Sequence, residues 1–215
     1  MHVIVFASQK GGAGKTTLTA HLAVAGEATG LYTALIDLDP QGSLSDWWNV
    51  RASKLPDLVP TTLDGLKAKL ASLRAAGYDA VFIDTPPAIT DAIEAVVKEA
   101  TFVVIPARPS PHDLRAVGNT VSIVNEKGKP FFFVLTHAKP NTRLTVTGVA
   151  SLSAHGPVAQ IVVHDRVDYA GSMVDGRTVQ ELDPKGRSAE EITALWALLH
   201  ERLEKGTKAR KEEAA

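Results

Sequence analysis

Short apolar runs alternate along this chain with longer stretches of mixed polar and apolar character. The apolar runs lie at 2–8, 32–37, 79–84, 101–106, 130–136 and 158–163 and are rich in Val, Ile and Phe. Runs of that length without regular polar alternation predict strands buried on both faces, as in a parallel sheet. Between them, residues 15–29, 43–52, 62–76, 89–99, 112–127, 143–154 and 188–205 carry helical spacing. This strand–helix alternation predicts an α/β fold, a doubly wound and mostly parallel sheet with helices on both faces. Gly30, Gly77 and Gly128 fall where helices should stop, and Pro56 and Pro60 mark a loop after the second helix. On the last helix Ile192, Leu195, Trp196, Leu199 and Leu203 form an apolar stripe, which predicts packing against the sheet.

Composition narrows the class. The chain has 215 residues, 45% of them hydrophobic and 22% charged, enough for one full α/β core. Residues 1–205 read as a single domain, and 206–215 as a charged tail without large apolar residues, expected to fray. With no cysteine there can be no disulfide, thiolate metal site or iron–sulfur cluster. No apolar run approaches the roughly 20 residues of a membrane span. Met1-His2 leads straight into the first strand, with no sign of a signal peptide, so a cytoplasmic location is expected. The net charge of −1 gives no global signal for nucleic acid; any DNA contact must come from a local patch.

The chemistry is concentrated early. Lys10-Gly11-Gly12-Ala13-Gly14-Lys15-Thr16-Thr17 follows the first apolar run and opens the first helix. In a strand–loop–helix setting, glycine amides and the helix N-terminus favour phosphate oxygens, Lys15 can reach the β- and γ-phosphates, and the Thr16 hydroxyl can ligate Mg2+. The usual phosphate-loop spacing calls for Gly at position 9, where this chain has Gln9, and a second lysine, Lys10, stands beside the glycines. Three further acids stand where apolar runs end. Asp37 and Asp39 stand in Leu35-Ile36-Asp37-Leu38-Asp39-Pro40-Gln41, and Asp84 in Val81-Phe82-Ile83-Asp84-Thr85-Pro86-Pro87. Strand ends of this kind face the ligand crevice of an open α/β sheet. Ser110 or Asp113, in Pro109-Ser110-Pro111-His112-Asp113-Leu114, is expected to cap a helix.

These motifs together resemble the deviant Walker A ATPases of the ParA/MinD family, particularly the short, ParF-like ParA partition and positioning proteins. The resemblance spans roughly residues 2–205 and is loosest near Asp175-Gly176 and Val179-Gln180-Glu181. It implies a P-loop NTPase fold and an ATPase, slow and partner-stimulated, that uses ATP and Mg2+. By resemblance, Lys10, Gly11, Gly12, Ala13, Gly14, Lys15, Thr16 and Thr17 hold the phosphates. Thr16, Asp37 and Asp84 serve the metal, and Asp39 orients or activates water. Lys10 reaches across a two-fold interface to a partner's ATP, so the competent state is a nucleotide-sandwich homodimer. Thr136, His137, Asp165 and Arg166 are candidates to border the adenine.

The implied role is segregation or positioning of a cargo, which could be a plasmid, a chromosome region or a protein cluster. The ATP dimer would bind DNA non-specifically and associate with a bacterial nucleoid, and a ParB-like or cargo adaptor protein would trigger hydrolysis. Basic residues toward the C-terminal half, among them Lys139, Arg143, Arg166, Lys185, Arg187, Arg202, Lys205, Lys208, Arg210 and Lys211, are candidates for the DNA face. A MinD-like membrane-cycling ATPase is the alternative, but the C-terminal tail lacks the apolar face needed to lie on lipid, so no membrane partner is expected. A metabolic enzyme on the same scaffold is a third reading, opposed by Lys10 and the Asp37–Gln41 segment. Because the chain starts at its first strand, an N-terminal operator-binding extension is not expected.

Overall fold

The computed structural model describes residues 1–87 and 90–213. Its strands are β1 (His2–Phe6), β2 (Thr33–Asp37), β3 (Asp57–Leu58), β4 (Ala80–Asp84), β5 (Phe102–Ala107) and β6 (Phe131–Leu135). All pair in parallel, in the spatial order β3-β2-β4-β1-β5-β6. The helices are α1 (Lys15–Ala28), α2 (Ser43–Val50), α3 (Leu66–Ala75), α4 (Thr90–Glu99), α5 (Pro111–Glu126), α6 (Arg143–Ser153), α7 (Val167–Met173), α8 (Val179–Leu182) and α9 (Arg187–Glu213). Expected helix position 89 lies outside the described residues.

Alternate residues of each central strand feed two separate cores, as the period of two requires. On one face Ile4, Phe6, Leu35 and Phe82 pack against α1, α2 and α7–α9. On the other, Val3, Val5, Ile36, Val81 and Ile83 meet α3–α6. The predicted α9 stripe is buried in full: Ile192, Leu195, Trp196, Leu199 and Leu203 are each at most 4% exposed. A fully buried side chain of this kind stabilises by about 1.5–3 kcal/mol. Trp196 approaches α1 so closely that a Cβ at Gly26 would sit 3.2 Å from its Cη2 atom.

Three local expectations are corrected. Residues 158–163 do not form a strand. They run beside β6 through spaced bonds, Phe133 N to Pro157 O, Ala159 N to Phe133 O and Val163 N to Leu135 O, with isolated bridges only. The sixth strand is instead the two-residue β3, inside the loop that Pro56 and Pro60 bound; Val59 N also donates to Leu35 O. The last helix does not end at 205 but continues through Gly206 to Glu213, because a single glycine costs a helix only about 1 kcal/mol. Ala214 and Ala215 lie outside the described residues. Ser110 does cap α5, accepting from Asp113 N at 3.2 Å with Pro111 in the first turn.

Candidate nucleotide site

Strand register builds the site. Phe6 pairs with Asp84 across β1–β4, and Asp37 pairs with Asp84 across β2–β4. The three carboxyl-terminal strand ends are therefore level, and the loops leaving them share one crevice. The chain leaving β1 turns through Gly12 (φ +69°) and Gly14 (φ +91°), left-handed backbone that side chains other than glycine rarely adopt. Gly14 caps α1 without any side-chain acceptor, so the helix presents its first amides to the crevice. Lys15 is buried, at 6% exposure. Burial holds its ammonium below the usual lysine range, while Asp84 and Asp39 pull the other way.

Asp84 is fully buried at the end of β4. Its Oδ2 accepts from Thr16 Oγ1 at 2.5 Å, whereas Oδ1 has no hydrogen-bond partner among the described residues. Burial pushes the carboxyl up to about 7, against the pull of Thr16 and Lys15. A buried carboxylate oxygen left unmatched beside a hydroxyl is a hard-oxygen donor set, and it fits Mg2+. The described residues contain no cluster of three or more His, Cys, Asp or Glu side chains able to hold a metal.

Asp37, also expected to serve the metal, has both carboxylate oxygens engaged by protein donors. Its Oδ2 accepts from Ser45 N and Ser45 Oγ, both at 2.9 Å, and its Oδ1 from Asp39 N at 3.1 Å. Asp37 therefore ties the first turn of α2 to the loop that carries Asp39. Asp39 itself accepts from Gln41 N at 3.0 Å through Oδ1 and from Gly42 N through its carbonyl at 2.9 Å, a tight turn that keeps its side chain half-buried at the crevice. Lys10 is exposed at the apex of the glycine loop.

The residues expected near the base converge on the other side of the loop. Gly14, Thr17, Thr136, His137, Asp165, Arg166 and Tyr169 line one cavity of about 170 Å3. Thr136 Oγ1 donates to Ala13 O at 2.8 Å, joining β6 to the phosphate loop. His137 adopts φ +51°, uncommon outside glycine; burial, with Arg108 adding, pushes its imidazole below the usual range, against Asp165 and Asp113. Arg166, a candidate both for the base and for DNA, is engaged within the chain: its Nε and Nη2 donate to Glu191 Oε1 at 3.1 and 2.8 Å. Glu191 also accepts from His164 N, His164 Nδ1 and Tyr169 Oη.

Sequence reasoning missed Glu191, Ser45 and Arg108. Glu191 sits in a charged helix with no motif around it, and Ser45 is an ordinary early helix residue. Arg108 lies two residues beyond the 101–106 apolar run, and nothing in its neighbours says that it lies over the phosphate loop.

Fold, level strand ends and glycine loop together define a phosphate-binding P-loop protein of the α/β class. Residues 4–179 match the CobQ/CobB/MinD/ParA nucleotide binding domain family, and the chain belongs to it. The family includes ATPases, and the recognition made from Lys10–Thr17, Asp37–Gln41 and Asp84 stands. Among curated relatives, Maintenance of carboxysome distribution protein A of Halothiobacillus neapolitanus is 30% identical over 89% of this chain and 93% of its own length. The protein of the same name from Gloeobacter kilaueensis is 33% identical over 94% of each. Among solved structures, apo McdA of Cyanothece superposes with a TM-score of 0.75 at 20% identity, covering 91% of this chain and 99% of that one. The Pyrococcus furiosus cell division ATPase MinD gives 0.78 at 17% identity, covering 93% and 98%. These likenesses bear out the doubly wound parallel fold.

Proposed function

We propose that this chain is a ParA-type positioning ATPase that pairs into a nucleotide-sandwich dimer with ATP and Mg2+. The observation that carries the reading is the Thr16–Asp84 contact, with its unmatched Asp84 oxygen, directly beneath the glycine loop. The loop amides and Lys15 hold the phosphates. Thr16 and Asp84 hold Mg2+, which neutralises phosphate charge when bound. Asp39 orients the attacking water, and Asp37 keeps Asp39 in place. Thr136, His137, Asp165 and Arg166 border the base. Lys10, exposed at the loop apex, reaches the nucleotide of a second copy.

The cargo is a protein cluster, a reading supported by two relatives named for carboxysome distribution whose lengths this chain nearly spans. Non-specific DNA serves as the track, held by lysine and arginine contacts to phosphate, and an adaptor on the cargo stimulates hydrolysis. No helix among the described residues is long and apolar enough to cross a membrane.

The test is phosphate release from ATP by the wild-type chain and by Asp39→Ala, with and without Mg2+, together with retention on duplex DNA across a salt series. The reading expects Mg2+-dependent release, lost in Asp39→Ala, and ATP-dependent DNA binding that weakens steeply with salt. ATP-dependent binding to liposomes but not to DNA would replace it with the membrane-cycling alternative.

A further inference from the structure

The apex of the phosphate loop, residues 9–12, is exposed or half-exposed, and it carries Lys10. Its own hydrogen bonding is sparse: Lys10 N reaches Ser8 Oγ at 3.4 Å. Among the described residues, two side chains from other elements tie it down. Asn119 Nδ2 of α5 donates to Gln9 Oε1 at 3.2 Å, and Arg108 Nη2 donates to Gly11 O at 2.9 Å. The second is shorter and charge-assisted, and such bonds are about twice as strong as neutral ones.

Sheet geometry explains why Arg108 can do this. β5 pairs beside β1, Phe6 opposite Val104, and Ala7 N donates to Val104 O. β5 therefore runs past the end of β1, and the residue after Ala107 lies against the loop. A Cβ built on Gly12 would fall 2.2 Å from Arg108 Nη2. Gly12 is thus required twice, for its left-handed backbone and for the room it leaves the guanidinium. Among the described residues Arg108 forms no ion pair, and its Nε is buried without a partner. Among the described residues its one hydrogen bond goes to the residue next to Lys10.

We propose that Arg108 is a positioning residue for Lys10: by holding the Gly11 carbonyl it fixes the loop apex and so sets where Lys10 points. This rests on the ATPase reading above for its kinetic consequence, but not for its structural one. The structural arm therefore comes first, on nucleotide-free protein. Trypsin cleaves after Lys10 when the apex opens, whereas Arg108, followed by Pro109, is a poor site. Loss of one charge-assisted bond should raise local opening, so Arg108→Ala should be nicked after Lys10 about tenfold faster than wild type, with Arg108→Lys in between. Nicking at the wild-type rate would overturn the proposal, whatever the enzyme's activity.

The kinetic arm uses Arg108→Ala, Lys10→Ala and the double variant. Turnover should fall about tenfold in Arg108→Ala while affinity for fluorescent ATP changes less than about threefold, and the double variant should match Lys10→Ala. Losses that multiply in the double variant, or a tenfold loss of ATP affinity in Arg108→Ala, would make Arg108 a phosphate ligand instead and overturn the positioning role. A wild-type chain that binds no ATP defeats the functional reading alone, because the nicking result stands apart from it.

Discussion

On the β1–β4 side of the crevice two buried charged groups are underpaired among the described residues, whereas on the β6–α9 side one carboxylate, Glu191, is fully engaged. Asp84 keeps one oxygen unmatched and its carboxyl is pushed up to about 7, and Lys15 is buried and held below its usual range. Across the loop, Glu191 alone accepts from His164, Arg166 and Tyr169. Burial raises its carboxyl, but the bonds from Arg166 and His164 outweigh that and leave it below the usual range. An unmatched buried polar group costs about 1–3 kcal/mol, so a cation seated at Asp84 would gain by supplying the partner that the described residues do not. Glu191 is already partnered within the chain. One half of the site is poised for chemistry, and the other is a preformed wall.

That contrast can be broken by substitution. Removing a poised group should cost binding and spare the fold. Lys15→Ala should lower ATP affinity about a thousandfold by calorimetry while the nucleotide-free melting temperature stays level or rises, because a desolvated ammonium has gone. A melting temperature that falls with affinity would erase the distinction between the two sides.

The wall should answer to acid instead. His21 lies fully buried under it, its Nδ1 2.7 Å from Thr17 O and its ring edge-on to Tyr169. Burial pushes it down to about 4 from 6.5. Between those values the unfolded chain binds a proton that the folded chain does not. The contribution of His21 to stability is therefore complete above pH 6.5 and falls by up to about 3 kcal/mol as pH drops toward 4, while Asp84, raised to about 7, contributes a slope of opposite sign over the same range. The stability difference between wild type and His21→Gln, read from denaturant titrations, should follow this slope, because the Asp84 contribution is common to both and cancels; a pH-independent difference would contradict it.

The smallest effect is expected at Glu191. Glu191→Gln keeps the shape but weakens the bonds to Arg166 and His164, costing about 2 kcal/mol of stability at neutral pH. The wild-type advantage is present above the ordinary glutamate pKa of 4.5 and is lost as pH falls through it toward the lowered folded value. Affinity for the bare triphosphate should hold while discrimination between ATP and GTP weakens. Unchanged stability would mean the wall is not held by this carboxylate.

The sequence made the poised side legible and left the wall obscure, for a physical reason. Phosphate and metal chemistry demand particular residue types close together in the chain, as in Gly11–Thr16 and at Asp84, and that demand writes a motif. The wall is assembled from residues far apart, Thr136, Arg166, Tyr169 and Glu191, any of which reads as ordinary surface or core alone. Apolar runs predicted β1, β2, β4, β5 and β6 within a residue or two. The same reasoning overextended 158–163, because its spaced bonding to β6 alternates with residues that pair with nothing. It missed β3, which is two residues long. Gly206 and the charged residues after it suggested an end to the last helix, yet one glycine is too small a penalty to stop a helix already anchored by Trp196, Leu199 and Leu203.

The account centres on Lys10–Thr16, Asp39 and Asp84 forming half of a hydrolysis site that two copies complete. The most direct measurement is the mass of Asp39→Ala by light scattering with saturating ATP and Mg2+, beside the same protein with ADP. The account predicts a dimer with ATP and a monomer with ADP. A monomer under both conditions, in protein shown by calorimetry to have bound ATP, would contradict it.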